Sequence, residues 1–307
     1  MTQVATKDNQ EDSAYSFDGS KMPTEALPTK PTPTQQALLS QATRLKNMKL
    51  SCKGMIYGDT GTMKTTTAIK ILLAITPPEK DIVYFDIAEG WSVLQNYYTE
   101  EELKRIIHVP YQSIEQLAQW ADAIQSGNAP FNNVGAVLFD EYTGMHDEDL
   151  NWVVSARAAQ ARAKKEFKDE FSPALPDYNA ARIRSNKYVL AKYMRLTDVH
   201  LIFIGHEKED KRLKKVPDMP DKAGKAVYQK LHFVYYASVD VKGNWTLQTT
   251  QSVKVTAKNR INGIGSFTNA DEIIKCYKLW GNNTPVKVDL KPVDETEDQE
   301  LLKILAD

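Results

Sequence analysis

Residues 58–66 (Gly-Asp-Thr-Gly-Thr-Met-Lys-Thr-Thr) have the types and spacing of a polyphosphate cradle. A tight turn starting at Gly58 lets backbone N–H groups from Asp59, Thr60, Gly61, Thr62, Met63 and Lys64 wrap a triphosphate. The Lys64 ammonium then reaches the β- and γ-phosphates, the Thr65 hydroxyl is left to hold Mg²⁺, and Thr66 continues into a helix. The general pattern G-x-x-x-x-G-K-[ST] asks for glycine where this chain has Met63, and a side chain there crowds a backbone that must approach phosphate closely.

A magnesium nucleotide site needs a carboxylate beside the threonine, and hydrolysis needs a group that orients water. Asp140 ends the apolar run 134–139 and is the metal candidate, ligating directly or through water. Two glutamates compete for the water: Glu141, which follows Asp140 directly, and Glu89, which follows the run 81–86. His206 ends the run 199–205, where it can bond a γ-phosphate and report its loss. The chain's five histidines show no metal-ligand spacing, so no zinc site is expected.

Cations collect in three places. Lys208, Lys211, Arg212, Lys214, Lys215, Lys222 and Lys225 lie in the charged stretch 207–227, expected to be a long loop. Arg157, Arg162, Lys164, Lys165, Arg182, Arg184 and Lys187 follow Asp140, with Tyr178 and Tyr188 near enough to stack on bases. Lys258 and Arg260 flank Asn259 after the run 253–256 and point to one side of an extended chain.

The elements that must position these groups alternate. Strands are expected over 50–57, 81–86, 105–109, 134–139 and 199–205. Helices are expected over 36–45, 64–75, about 114–124, 147–168, 178–196 and 270–278, with Pro173 and Pro176 breaking the pair that follows Asp140. Residues 231–256 alternate around Lys242-Gly243-Asn244, which predicts a β-hairpin and a further strand. Strands alternating with helices, several of them continuously apolar, predict an α/β fold with a mainly parallel sheet covered on both faces. Ligands then sit at the carboxyl ends of the strands.

The chain has 307 residues, enough for one large core. Residues 1–47 read as a flexible, proline-bearing tail with a lead-in helix, 48–285 as the core, and 286–307 as an acidic tail. The tyrosine and phenylalanine of Ala14-Tyr15-Ser16-Phe17 form either a solvated pair or a short anchor for a neighbouring subunit. Net charge is −1, so nucleic-acid binding must come from local patches. Cys52 and Cys276 read as reduced thiols. The absence of a membrane-length apolar run or leader points to the cytoplasm and to no membrane partner.

The order of these features resembles the RecA-like ATPase core, and within it the compact phage ATPases of the single-strand annealing (Sak) group. The resemblance covers about residues 48–280. It rests on residues 58–66, 84–90, 137–141, 201–206 and 258–260. It implies a RecA-like P-loop core with a C-terminal β-hairpin extension, ATP and Mg²⁺ as cofactors, and single-stranded DNA as partner. Assembly into a filament or ring and contact with a single-strand-binding protein also follow from it. It favours Glu89 over Glu141 for water and casts His206 as the γ-phosphate sensor. Lys258 and Arg260 become cations that reach a neighbour's ATP, and Lys208, Lys211, Arg212, Lys214, Lys215, Arg182 and Arg184 become DNA contacts. The implied activity is ATP-dependent annealing or strand exchange in recombination. A ring-forming motor using Glu141, or a nucleotide-binding scaffold slowed by Met63, are the rival readings.

Overall fold

The computed structural model describes residues 51–164, 172–219, 227–240 and 242–281. The expected tails, the helix over 36–45, and Lys165, Lys222 and Lys225 lie outside the described residues. One sheet organises the rest, in the order β11-β9-β8-β1-β5-β4-β2-β3. Six of these strands are mutually parallel: β1 (Lys53–Gly58), β2 (Asp81–Asp86), β3 (Ile106–Pro110), β4 (Val134–Asp140), β5 (His200–Gly205) and β8 (Phe233–Val239). β9 (Trp245–Gln248) turns back on β8 as the expected hairpin, β10 (Lys258–Asn259) pairs with β8, and β11 (Phe267–Thr268) pairs with β9, all antiparallel. Such a mainly parallel sheet flanked by helices, with β1 leading through residues 58–63 into a helix at Lys64, is consistent with an α/β P-loop NTPase core.

Period-two alternation sends each strand's side chains to two apolar layers. Met55, Tyr57, Val83, Phe85, Val137, Phe139 and Phe203 face α2 (Ile114–Ser126), α3 (Tyr142–Ala163) and the helical segment after it. Ile56, Ile82, Tyr84, Leu138 and Ile204 face α1 (Lys64–Ile75) and the C-terminal helix. Across β2, β4 and β5 the rings of Phe85, Phe139 and Phe203 stack in register, with centroids 5.1 and 5.0 Å apart.

Three expectations change. The helices expected at 147–168 and 178–196 are α3 at Tyr142–Ala163 and α4 at Leu175–Ser185. α4 runs on through a π-helical turn, Asn186–Leu190, to Tyr193. α3 begins early because Tyr142 and Met145 are core residues. Pro176 opens α4 instead of breaking a helix, since a first-turn residue needs no N–H partner. The expected loop after His206 begins as a hairpin of β6 (Glu207–Glu209) and β7 (Lys215–Pro217). The expected strand over 253–256 is reduced to one bridge, Val255 to Lys215, because Val253 finds no apolar neighbour and is 85% exposed. The last helix, α5, spans Ala270–Gly281.

Candidate active site

β1 runs into the phosphate loop and α1 leaves it, so the loop is clamped at both ends. A Cβ at Gly58 would lie 2.3 Å from the Ala237 carbonyl oxygen of β8, which restricts the position to glycine. α1 starts at Lys64 with no side-chain cap and no acid in its first turn, leaving its N-terminal N–H groups available to an anion. Met63, the residue before it, is held at φ 57° and ψ 28°, a left-handed conformation that favours glycine. The sequence flagged Met63 for bulk, and the backbone shows a conformational strain as well.

Lys64 is 8% exposed, and its Nζ donates to the carbonyls of Gly58 at 3.0 Å and Asp59 at 2.6 Å. Burial lowers its pKa, and the carboxylates of Glu141 and Asp140 oppose that shift. Thr65 Oγ1 donates to Asp140 Oδ2 at 2.9 Å, although 75 residues separate them. Asp140 is buried at the end of β4, and burial raises its pKa. A buried carboxylate facing a threonine hydroxyl offers the hard oxygen donors that Mg²⁺ takes when phosphates and waters supply the rest. Among the described residues no cluster of three His, Cys, Asp or Glu side chains forms a self-contained metal site. The Thr65 hydroxyl and Asp140 carboxylate fit a metal that takes its remaining donors from phosphates and water.

A cleft of about 240 Å³ opens above these groups, lined by Thr60 to Thr66, Ala88, Gly90, Val93, Asp140, Glu141, Ile204 and His206. The Glu141 carboxylate and the His206 imidazole meet across it. Burial raises the Glu141 pKa, and the His206 ring draws it back down. The His206 amide donates to Thr143 Oγ1 at 3.2 Å, fixing the end of β5. Glu89 is exposed, sits at φ 57°, and does not line the cleft although Ala88 and Gly90 do. The geometry thus places Glu141 on the cleft wall beside the phosphate loop and leaves Glu89 outside it.

Other expected cations separate into free and committed. The Arg184 guanidinium bonds Asp149 at 2.9 Å and Glu115 at 2.6 Å and lies 4.1 Å over the Trp152 ring. It is an internal strut joining α2, α3 and α4, which corrects its assignment to a DNA surface. Arg182, on the same helix, is half-buried. Lys208 pairs with Asp218, and Lys215 with Glu207 and Glu209, so both are neutralised within the β6–β7 hairpin. At the hairpin tip Lys211 and Arg212 are exposed and Lys214 is half-exposed. The tip is shaped by Asp210, whose carboxylate accepts the Arg212 and Lys214 amides.

Lys258 and Arg260 do point to one side, since both donate to the Gln229 carbonyl. They stand at the wrong edge for their own cleft, however. β10 pairs with β8 at Phe233 and Val234, level with the start of β1, whereas Gly58 is level with Ala237. The sequence reading had them follow a strand over 253–256 and reach the ATP of a neighbouring subunit. Thr256 is on the cleft side, where its carbonyl accepts from the Tyr57 hydroxyl, and β10 runs back from it antiparallel to β8 toward the start of β1.

Sequence reasoning missed Tyr84, Asp86 and His108. Asp86 is in register with Asp140 on the neighbouring strand, and its carboxylate binds His108 Nε2 at 2.9 Å and the Gly90 amide at 2.9 Å. The available signal was that two strands end alike, on Phe85-Asp86 and Phe139-Asp140.

Among the described residues no helix is long and apolar enough to cross a membrane, and Cys52 and Cys276 are both buried free thiols. A family model described as an AAA domain matches residues 51–261, from the approach to β1 to just beyond Arg260. No curated protein matches the chain.

Proposed function

We propose that this chain, which belongs to the AAA domain family, is an ATP- and Mg²⁺-dependent ATPase of RecA-like, Sak-group type. In this reading it acts on single-stranded DNA and promotes annealing or strand exchange in phage recombination. The observation that carries the nucleotide site is the Thr65–Asp140 hydrogen bond at the uncapped start of α1, with Lys64 buried beside it. The backbone from Asp59 to Lys64 holds the phosphates, and Lys64 neutralises them. Thr65 and Asp140 hold the metal, which supplies charge neutralisation and orientation of the phosphates when bound. Glu141 accepts the proton of the attacking water, a role favoured over Glu89 by its position on the cleft wall. His206 releases Glu141 when a γ-phosphate competes for its imidazole.

The DNA reading is supported by the hairpin tip, where Lys211, Arg212 and Lys214 stand at the end of a strand pair that starts beside His206. Lys258 and Arg260 serve a neighbour's ATP only in a head-to-tail arrangement, in which the lower sheet edge of one subunit meets the upper edge of the next. Such heterologous contacts build rings or filaments. The test is ATP turnover with and without single-stranded DNA. Stimulation in wild type and its loss in Lys64→Ala are expected; equal turnover with and without DNA would detach the site from DNA.

A ring-forming motor, of helicase or packaging type, is the second reading, favoured by the same position of Glu141 directly after Asp140. Negative-stain images with single-stranded DNA and a non-hydrolysable ATP analogue separate closed rings from filaments or arcs.

A further inference from the structure

The metal carboxylate is held from two directions, and only one of them belongs to the phosphate loop. Thr65 approaches Asp140 Oδ2 from α1 at 2.9 Å, and the Tyr84 hydroxyl approaches the same oxygen from β2 at 2.7 Å. Tyr84 is fully buried, in the apolar layer that also holds Ile56, Leu72, Ile82 and Leu138. Its position follows from the sheet. Tyr84 is in register with Leu138, so Tyr84 and Asp140 share a face two residues apart along adjacent strands, and a tyrosine is long enough to span that step.

The tyrosine is itself held. Its hydroxyl lies 3.3 Å from Asp86 Oδ1, and Asp86 is pinned by the Gly90 amide and by His108. The main chain of Gly90 also covers the Tyr84–Asp140 bond, since a Cβ there would sit 3.1 Å from Asp140 Oδ2 and 3.2 Å from Tyr84 Oη. Glycine at position 90 is thus explained by a close approach and not by its φ of −75°.

An aspartate carboxylate turns about a broad, twofold torsion, so it has no strong orientation of its own. Two hydroxyls converging on one oxygen supply that orientation. The Thr65 hold belongs to a loop that must also accommodate nucleotide, whereas the Tyr84 hold is part of the buried sheet. Mg²⁺ demands near-octahedral geometry with short bonds, while Ca²⁺ accepts one or both carboxylate oxygens over a wider range. A fixed carboxylate therefore discriminates between them.

We propose that Tyr84, covered by Gly90, is the positioning residue of the metal site: it fixes the Asp140 carboxylate in the orientation that selects Mg²⁺ over Ca²⁺. The proposal rests on the nucleotide-site reading above. Partners one layer outside a metal's ligands are worth about 10- to 100-fold in metal affinity.

The test is mant-ATP affinity of the full chain, measured without metal, with Mg²⁺ and with Ca²⁺, for wild type, Tyr84→Phe and Gly90→Ala. Tyr84→Phe keeps the ring in the core, and Gly90→Ala presses on the same bond from the main-chain side. In both variants the affinity gain from Mg²⁺ falls about tenfold and the gain from Ca²⁺ changes far less; in Tyr84→Phe, whose ring lies outside the cleft lining, metal-free affinity stays at the wild-type value. A full Mg²⁺ gain in Tyr84→Phe overturns the proposal. So does an equal loss with both metals or without metal, which would mark Tyr84 as merely structural. Wild type and Lys64→Ala binding mant-ATP identically would be a different failure, that of the nucleotide site itself.

Discussion

The imidazole of His206 closes on the carboxylate of Glu141 at the mouth of the phosphate-loop cleft. A water-activating carboxylate must be ionised, and burial makes Glu141 harder to ionise than an ordinary glutamate. As pH falls, the working form is therefore lost earlier than for a solvated carboxylate. In His206→Ala the partner that lowers the Glu141 pKa is gone, so the acid limb of kcat moves to higher pH. Glu141→Gln abolishes that limb and cuts kcat by about 10²- to 10⁴-fold. The pH profiles of the three proteins check this, and a limb unmoved in His206→Ala would count against Glu141 as the base.

Met63 occupies a left-handed conformation that costs a side-chain-bearing residue about 1–2 kcal/mol. Glycine removes that strain at an unfolded-state entropy cost of about 0.5–1 kcal/mol. Met63→Gly should gain up to about 1 kcal/mol in urea unfolding and turn over ATP faster. Met63→Ala keeps the Cβ and should show neither effect, which separates backbone strain from side-chain bulk.

Arg184 and the hairpin tip should respond in opposite assays. Arg184→Ala strands Asp149, whose side chain is 2% exposed, and should cost about 3 kcal/mol in denaturant unfolding. It should leave the salt dependence of single-stranded DNA binding unchanged. Replacing Lys211, Arg212 and Lys214 with alanine should hardly alter stability and should flatten the slope of log affinity against log salt. A steep slope surviving in the triple variant would move the DNA surface elsewhere.

The stacked rings of Phe85, Phe139 and Phe203 tie together the strands that carry Asp86, Asp140 and His206. Phe139 is fully buried at the centre of this row. Phe139→Ala should lose about 3–5 kcal/mol of stability. A loss below about 2 kcal/mol, read by urea unfolding, would mean that the sheet repacks around the gap.

Most strands and helices were legible because a parallel sheet buried on both faces writes itself as continuous apolar runs, as in Val137-Leu138-Phe139 and Leu201-Ile202-Phe203. Gly58, Lys64, Thr65 and Asp140 were legible as local signals at strand ends. Relationships that depend on which strands are neighbours were not. Tyr84 reads as one more apolar strand residue until β2 is seen beside β4. Arg184 reads as a surface cation until Asp149 and Glu115 converge on it from two other helices. The alternation at 253–256 looks like a strand but forms one bridge only, and Val253 there is 85% exposed. Glu89 and Glu141 both follow strands, and only the turn at Ala88–Gly90 decides which carboxylate reaches the cleft.

The β6–β7 hairpin has the mechanics of a lever. It begins one residue after His206, and the Asp218 amide donates back to the His206 carbonyl, so its base is clamped at that residue. Cross-bonds between Lys215 and residues 254 and 256 give it a fulcrum beside the sheet. Three extended residues, Glu207–Glu209, and Asp210 separate His206 from Lys211 at the tip, a throw of roughly 10–15 Å. In the proposed reading, a rotation of about 5° at the base, as His206 exchanges Glu141 for a phosphate, would move Lys211, Arg212 and Lys214 by about an ångström. The proposed exchange of partners in the cleft would thereby be magnified at the cationic tip.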